Sequence, residues 1–102
     1  MIKLSDKMMQ LVEDMWDELD GAKHYAEQAM AHKGMNSAGA STYAEMARQE
    51  LVHFDNLHKM AVQELSNHAG EEHKAAALVW SWEHEKMMRR AAKIRAMLDM
   101  AK

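Results

Sequence analysis

Residues 43–61, with the sequence YAEMARQELVHFDNLHKMA, carry apolar side chains at the spacing of an α-helix. At about 3.6 residues per turn, one face of this helix comprises Tyr43, Met46 or Ala47, Glu50, His53 or Phe54, Leu57, and Met60 or Ala61. Glu50 and His53 therefore lie in or beside the apolar stripe, one above the other, because side chains three residues apart share a helix face. The pattern predicts an amphipathic helix with a carboxylate and an imidazole on its buried side.

Two further helical patterns contain the same irregularity. The first stripe comprises Leu11, Met15, Glu18, Ala22, Tyr25 and Ala29, and the third comprises Ala76, Trp80, Glu83, Met87, Ala91, Ile94 and Leu98. Each helix thus has one glutamate where a leucine would be expected. Burying an ionised carboxylate costs several kcal/mol unless it is paired or binds a metal ion. We therefore expect Glu18, Glu50 and Glu83 to be paired or to ligate a metal.

All 102 residues are predicted to form a single all-α domain. Proline is absent, glycine occurs four times, and good helix formers dominate, so no strands are expected. The helices are predicted at about residues 6–32, 42–67 and 71–100. Ser5 or Asp6 can cap the first helix, and Ser41 or Thr42 can cap the second. Because the linker at 34–42 is short, the first two helices should form an antiparallel hairpin.

Composition excludes several classes of function. A net charge of −3 gives no basic surface for nucleic acid or anionic lipid, and no stretch approaches the ~20 apolar residues of a membrane span. The chain has no cysteine, so any metal must be held by carboxylates and imidazoles. It also has no glycine-rich loop of the kind that binds phosphate groups. Residues 1–6 lack the apolar run of a secretory signal. We expect a cytoplasmic protein that binds neither nucleic acid nor membranes.

Helix one has a second apolar stripe, formed by Val12, Trp16 and Leu19 beside the first. A helix that buries two faces predicts association with another subunit. Most histidines lie on polar faces or near helix ends, which predicts solvent-exposed side chains; they are His24, His32, His58, His68 and His73. The same exposed position is expected for His84, and the alternative is that His84, next to Glu83, contacts a metal ligand.

Glu50 and His53 form a Glu-x-x-His pair, the arrangement found in di-iron helical bundles. Oxygen and imidazole donors at this separation suit iron or manganese. The alternative is a helical oligomerisation or adaptor module, in which the stripe glutamates pair with arginines across an interface. Candidate arginines are Arg48, Arg89, Arg90 and Arg95. Such a module would bind no stoichiometric iron, so metal content separates the two hypotheses.

The segments 18–25 (ELDGAKHY) and 44–53 (AEMARQELVH) resemble the first half of a rubrerythrin-type ferritin-like domain. Glu18 and Tyr25 occupy the places of that family's first-helix glutamate and tyrosine, and Glu50 and His53 occupy those of its Glu-x-x-His. The resemblance spans about residues 8–62. The third helix is similar more faintly, with Glu83 at the position of a further metal-binding glutamate.

The resemblance implies a site shared between two subunits, because the family's second Glu-x-x-His helix is missing from this chain. A two-fold homodimer, or a higher oligomer built from it, would complete a four-helix bundle around two iron ions, with manganese as the alternative metal. The implied activity is oxidation of ferrous iron or reduction of peroxide. Glu18, Glu50 and His53 would be the catalytic ligands, and Glu83 an additional metal ligand.

The resemblance also assigns a role to each residue. Glu50 would bridge the metals, Glu18 would be a terminal carboxylate, His53 would be the nitrogen donor, and Tyr25 would lie just outside the ligands. The chain is similar in size and motif order to the encapsulated ferritins, which are enclosed in a shell. Residues 97–102 are predicted to be helical rather than a targeting tail, so the sequence gives no support for an encapsulating shell.

Overall fold

The computed structural model describes residues 5–67 and 70–102, and over these ranges the chain forms three α-helices and no strands. The helices are α1 (Asp6–His32), α2 (Ser37–Ser66) and α3 (Gly70–Met100). They pack into an elongated body of about 55 × 17 × 17 Å. The all-α prediction with three helices is confirmed.

The helix ends agree with the predictions except at the start of α2. Ser5 caps α1, and its hydroxyl accepts a hydrogen bond from the Met8 N–H at 3.2 Å. The predicted start of the second helix at about residue 42 is wrong, because α2 begins at Ser37. Asn36 caps it by accepting the Gly39 N–H at 2.9 Å, and asparagine is as strong an N-cap as serine. The chain reverses direction between α1 and α2 at Gly34, whose positive φ of 80° favours glycine.

α1 and α2 pack closely along a seam of small side chains. Buried alanines on both helices line this seam, namely Ala22, Ala26, Ala29, Ala40, Ala44 and Ala47. Small side chains let helix axes approach closely, because axial separation depends on the residues at the contact. Toward the other end of the hairpin the core becomes bulky, with Met8, Met15 and Phe54 fully buried. Glu18 and Glu50 lie at the transition between these two parts.

α3 runs parallel to α1 and covers its second apolar stripe. Trp16 donates a hydrogen bond from Nε1 to Glu83 Oε2 at 3.0 Å. Four residues further along α1, Asp20 pairs with Arg90 at 2.8 Å, and the Arg90 guanidinium lies over the Trp16 ring. The second stripe of α1 is thus covered by α3 of the same chain. Its apolar character therefore no longer argues for association.

The predicted stripes agree with the observed core. All six apolar residues predicted for the α3 stripe are buried. At the three positions of α2 where the pattern left two residues open, the buried ones are Ala47, Phe54 and Ala61. His53, the alternative to Phe54, lies at the edge of the hairpin. Within the described ranges, each helix falls short of the apolar length that a membrane span requires.

Candidate metal centre

Glu18, Glu50 and His53 come together on one edge of the α1–α2 hairpin. One ligand atom from each residue lies within 4.8 Å of the others. His53 Nδ1 is 3.4 Å from Glu18 Oε2. α1 supplies the first carboxylate, and α2 supplies the second together with the imidazole, one helical turn apart. The sequence-predicted group of two glutamates and one histidine is therefore assembled within a single chain.

Gly21 provides the space for the Glu50 carboxylate. A Cβ atom added at Gly21 would lie 2.9 Å from Glu50 Oε2 and 3.4 Å from Glu50 Cδ, so the carboxylate packs directly on the α1 backbone. A glycine inside a helix costs about 1 kcal/mol relative to alanine, which makes its presence in α1 notable. Sequence analysis did not assign Gly21 a role. Its position in the middle of a helical pattern, one turn after Glu18, was the available signal.

The two carboxyl groups compete for one proton. The pKa of Glu50 is raised from 4.5 to about 7, first by its hydrogen bond with Glu18, then by burial and by the negative charge of Glu18; the nearby His53 opposes the shift. Close carboxylates raise one another's proton affinity because two like charges in a low-dielectric site repel. At neutral pH the pair therefore retains part of a proton that a bound cation would replace.

One oxygen of Glu18 is left without a partner. Glu18 Oε2 is buried and accepts no hydrogen bond, although the Glu18 side chain as a whole is 26% exposed. The His53 side chain is 56% exposed. The cluster is thus closed toward the hairpin core and open on its outer side. Buried carboxylate oxygens are normally hydrogen-bonded, so Glu18 Oε2, which has only the ion-pair contact with His53 at 3.4 Å, is available to a further ligand.

Glu83 lies apart from this cluster. Its Oε2 accepts the Trp16 indole N–H, and its Oε1 pairs with Lys86 at 3.3 Å. These contacts are made at the α1–α3 contact, whereas Glu18 and Glu50 meet at the α1–α2 edge. The structure therefore brings three of the four predicted metal-binding residues together and leaves Glu83, whose oxygens are engaged by Trp16 and Lys86, outside the group.

Arginine pairing takes place elsewhere in the chain. Among the described residues, Arg48 pairs with Glu45, Arg89 with Glu85, and Arg90 with Asp20. None of these acidic partners belongs to the three predicted stripes. Within one chain, the arginine pairing expected for an interaction module is therefore not made by Glu18 or Glu50.

Tyr25 and two histidines occupy specific positions as well. Tyr25 is half-buried and stacks on Tyr43, with 6.2 Å between ring centroids, and it is not a member of the ligand group. The expectation of exposed side chains is confirmed for His24 and wrong for His32 and His73, which are half-buried. It is also wrong for His58 and His84, which are half-buried against each other between α2 and α3. The reason is that α3 packs beside this part of α2, a neighbour that the pattern of a single helix does not reveal. His68 lies outside the described residues.

Comparisons with protein-family models, with curated proteins and with solved structures find no match to this chain. The likeness to rubrerythrin-type domains therefore depends on the residues quoted above and on the cluster they form.

Proposed function

We propose that this chain is a ferritin-like di-iron protein that oxidises ferrous iron, or reduces peroxide, at a site shared between two subunits. The observation that carries the proposal is the convergence of Glu18, Glu50 and His53, whose ligand atoms lie within 4.8 Å of one another. Two carboxylates and one imidazole on facing helices are half of the donor set of helical di-iron sites. Oxygen and nitrogen donors of this kind favour iron or manganese.

The condition of the donors fits a cation. Glu18 Oε2 is buried without a hydrogen-bond partner, and Glu50 has a pKa near 7 because Glu18 crowds it. A bound cation would satisfy the oxygen and remove the repulsion between the carboxylates. In the proposed arrangement Glu18, Glu50 and His53 would hold the iron, with the shared carboxylate assigned to Glu50, a terminal carboxylate to Glu18 and the nitrogen donor to His53. Bound iron would supply one-electron redox chemistry toward dioxygen or peroxide.

The chain's own residues contribute charge and proton transfer. Glu50 gives up its proton when a cation binds, so loading the site releases a proton near neutral pH. Gly21 leaves room for the Glu50 carboxylate to pack against the α1 backbone.

Sharing between subunits is supported by the open side of the cluster. Three ligands from one chain leave a two-metal site incomplete, and a two-fold axis beside this edge would add Glu18, Glu50 and His53 of the partner subunit. α3 packs on the Trp16 face of α1, so it leaves the proposed dimer face of the hairpin free. The resulting four-helix arrangement would consist of two α1–α2 hairpins.

The decisive experiment is anaerobic binding of ferrous iron followed by exposure to oxygen or peroxide. Purified chain should bind about one iron per subunit and form a ferric absorbance band on oxidation. Glu50→Ala should bind none, whereas Glu45→Ala, a matched control at an exposed glutamate of the same helix, should behave like the original chain. Equal iron binding by both variants would contradict the proposal.

Sedimentation tests the sharing of the site. The chain should sediment as a dimer, or a multiple of dimers, when it is loaded with iron, and Glu50→Ala should lose the iron-dependent part of this association. An 11.7 kDa monomer that binds iron fully would exclude the shared site while leaving iron binding intact.

A further inference from the structure

A pair of histidines joins α2 to α3 on a different side of the molecule from the carboxylate cluster. His58 Nε2 and His84 Nε2 lie 3.1 Å apart, and the two ring centroids are 4.9 Å apart. A hydrogen bond between two imidazoles requires one ring to donate Nε2–H and the other to accept through an Nε2 lone pair. Both rings thus direct the same nitrogen toward one point between the helices.

Trp80 fixes the orientation of both rings. It lies one turn before His84 on α3, and its ring centroid is 5.4 Å from that of His84 and 5.9 Å from that of His58. Trp80 is itself part of the core, with 8% of its surface exposed. Two imidazoles held by a buried indole lose little conformational entropy on binding a ligand, which favours binding.

We propose that His58 and His84 bind one divalent transition-metal ion of the zinc, nickel or copper type through their Nε2 atoms, forming a second metal site. Metal–imidazole bonds are about 2.0–2.1 Å long, so two nitrogens on one ion lie roughly 2.9–3.4 Å apart for bond angles between square-planar and tetrahedral. The observed 3.1 Å falls within this interval. The separation of the two nitrogens therefore matches that of two imidazoles bound to one ion.

Protonation is compatible with this site. Burial, and then the charge of His58, lower the pKa of His84, which favours the neutral imidazole that ligates metals. When the ion binds, the donating ring transfers its proton from Nε2 to Nδ1, so both lone pairs face the metal and no net proton is lost. Water completes the coordination, and we expect weaker binding than at a closed four-ligand site.

The consequence for the fold is a clamp between α2 and α3. α3 contacts α1 through the Trp16–Glu83 hydrogen bond and the Arg90–Asp20 ion pair, whereas the histidine pair links it to α2. An ion at this point would hold the third helix to the hairpin. The proposal does not depend on iron binding by Glu18, Glu50 and His53, because two imidazoles select a different class of metal from a carboxylate-rich site.

The test is calorimetric titration with zinc sulfate in a His53→Ala chain, which removes the imidazole of the carboxylate cluster. This chain should bind one zinc ion, and adding His24→Gln, a control at an exposed histidine of α1, should leave the affinity unchanged. Adding His58→Gln or His84→Gln should weaken binding about tenfold or more. Affinity equal to that of the His24 control would overturn the proposal.

A second measurement needs no substitution at the pair and so covers the case in which those variants unfold. Copper(II) is added to the His53→Ala chain made with histidine labelled with ¹⁵N in the imidazole ring. Electron paramagnetic resonance should show coupling to two labelled nitrogens, and copper should quench the fluorescence of the adjacent Trp80. Coupling to one labelled nitrogen or to none would refute the two-histidine site.

Discussion

Glu18 and Glu83 are both glutamates in the middle of an apolar stripe, yet they differ in whether their carboxylate oxygens have hydrogen-bond partners. Glu83 is fully engaged, because the Trp16 indole N–H and Lys86 satisfy its two oxygens. Glu18 has a buried oxygen with no hydrogen-bond partner and a neighbouring carboxyl group with a raised pKa. Both oxygens of Glu83 are thus satisfied at the α1–α3 contact, whereas at the α1–α2 edge two carboxylates crowd each other beside the His53 imidazole.

This difference separates structural carboxylates from candidate ligands. A structural carboxylate has its donors in the same chain and contributes to stability when it is ionised. A ligand carboxylate is crowded by others of the same sign and destabilises the metal-free protein. Removing one or the other should therefore move stability and metal binding in opposite directions.

The largest expected effect is that of Glu50→Ala compared with Glu83→Ala. Glu50→Ala should reduce iron oxidation to the rate without protein, while the metal-free chain keeps or gains stability because a like-charge contact is lost. Glu83→Ala should retain iron oxidation and lose about 1–3 kcal/mol, because the Trp16 N–H loses a charged acceptor. Initial oxidation rates and urea unfolding of the metal-free proteins measure both quantities.

The opposite outcome for Glu50 is equally informative. If Glu50 were paired with an arginine of the partner subunit, removing it would strand a buried cation. The metal-free protein would then lose about 3–5 kcal/mol. Such a loss would support the interaction module and contradict the di-iron proposal.

The next effect is stabilisation by the metal itself. A ligand that binds only the native state at about 100 times its Kd stabilises that state by about 2.7 kcal/mol. Thermal melting with anaerobic ferrous iron should therefore show a raised midpoint in the original chain and in Glu83→Ala. The midpoint of Glu50→Ala should not change, and an unchanged midpoint in the original chain would show that these carboxylates are not ligands.

A smaller effect is expected from pH in the absence of metal. The folded pKa of Glu50 is about 7, above its ordinary 4.5, so the folded chain holds more protons than the unfolded chain between these values. The contribution of Glu50 to stability is therefore greatest below about pH 4.5 and is lost as pH rises through 7. Glu50→Gln, which can still donate a hydrogen bond to Glu18, should flatten this dependence in urea unfolding at pH 5 and pH 8. An equal slope in both proteins would contradict the shared proton.

Much of the fold follows from residue periodicity, as α3 illustrates. Its stripe from Ala76 to Leu98 is buried as predicted, since a 3.6-residue repeat of apolar side chains has one low-energy orientation against a core. The start of α2 was harder to predict because Asn36, Ser41 and Thr42 are all competent caps. Which of them is used depends on the length of the hairpin turn.

The candidate site was predictable only in part. The Glu50–His53 spacing indicates a ligand pair on one helix, and the link from Glu18 to that pair came from the resemblance. The engagement of Glu83 by Trp16, and of His58 by His84, depends on how α3 is placed beside the hairpin. A single helix pattern holds no information about which neighbour faces a polar side chain, so these partners become visible only in three dimensions.

The smallest expected effect concerns Gly21. This residue lies beside Glu50 at the α1–α2 edge and away from the α1–α3 contact. Gly21→Ala should stabilise the metal-free chain by up to about 1 kcal/mol, because alanine is the better helix former. The new Cβ would lie 2.9 Å from Glu50 Oε2, and this flexible carboxylate can move away at little cost to the fold. Metal binding should nevertheless weaken, by about tenfold if Gly21 supports the ligand as outer-shell groups do elsewhere.

A double-mutant cycle isolates this contact. In a Glu50→Ala background the alanine at position 21 meets no carboxylate, so its full helix-propensity gain should appear, and the difference from the gain in the original chain measures the Gly21–Glu50 contact. Urea unfolding supplies the stabilities, and anaerobic iron titration of the single variant supplies the affinity. If Gly21→Ala raised stability equally in both backgrounds and left iron affinity unchanged, Glu50 would not be held against α1.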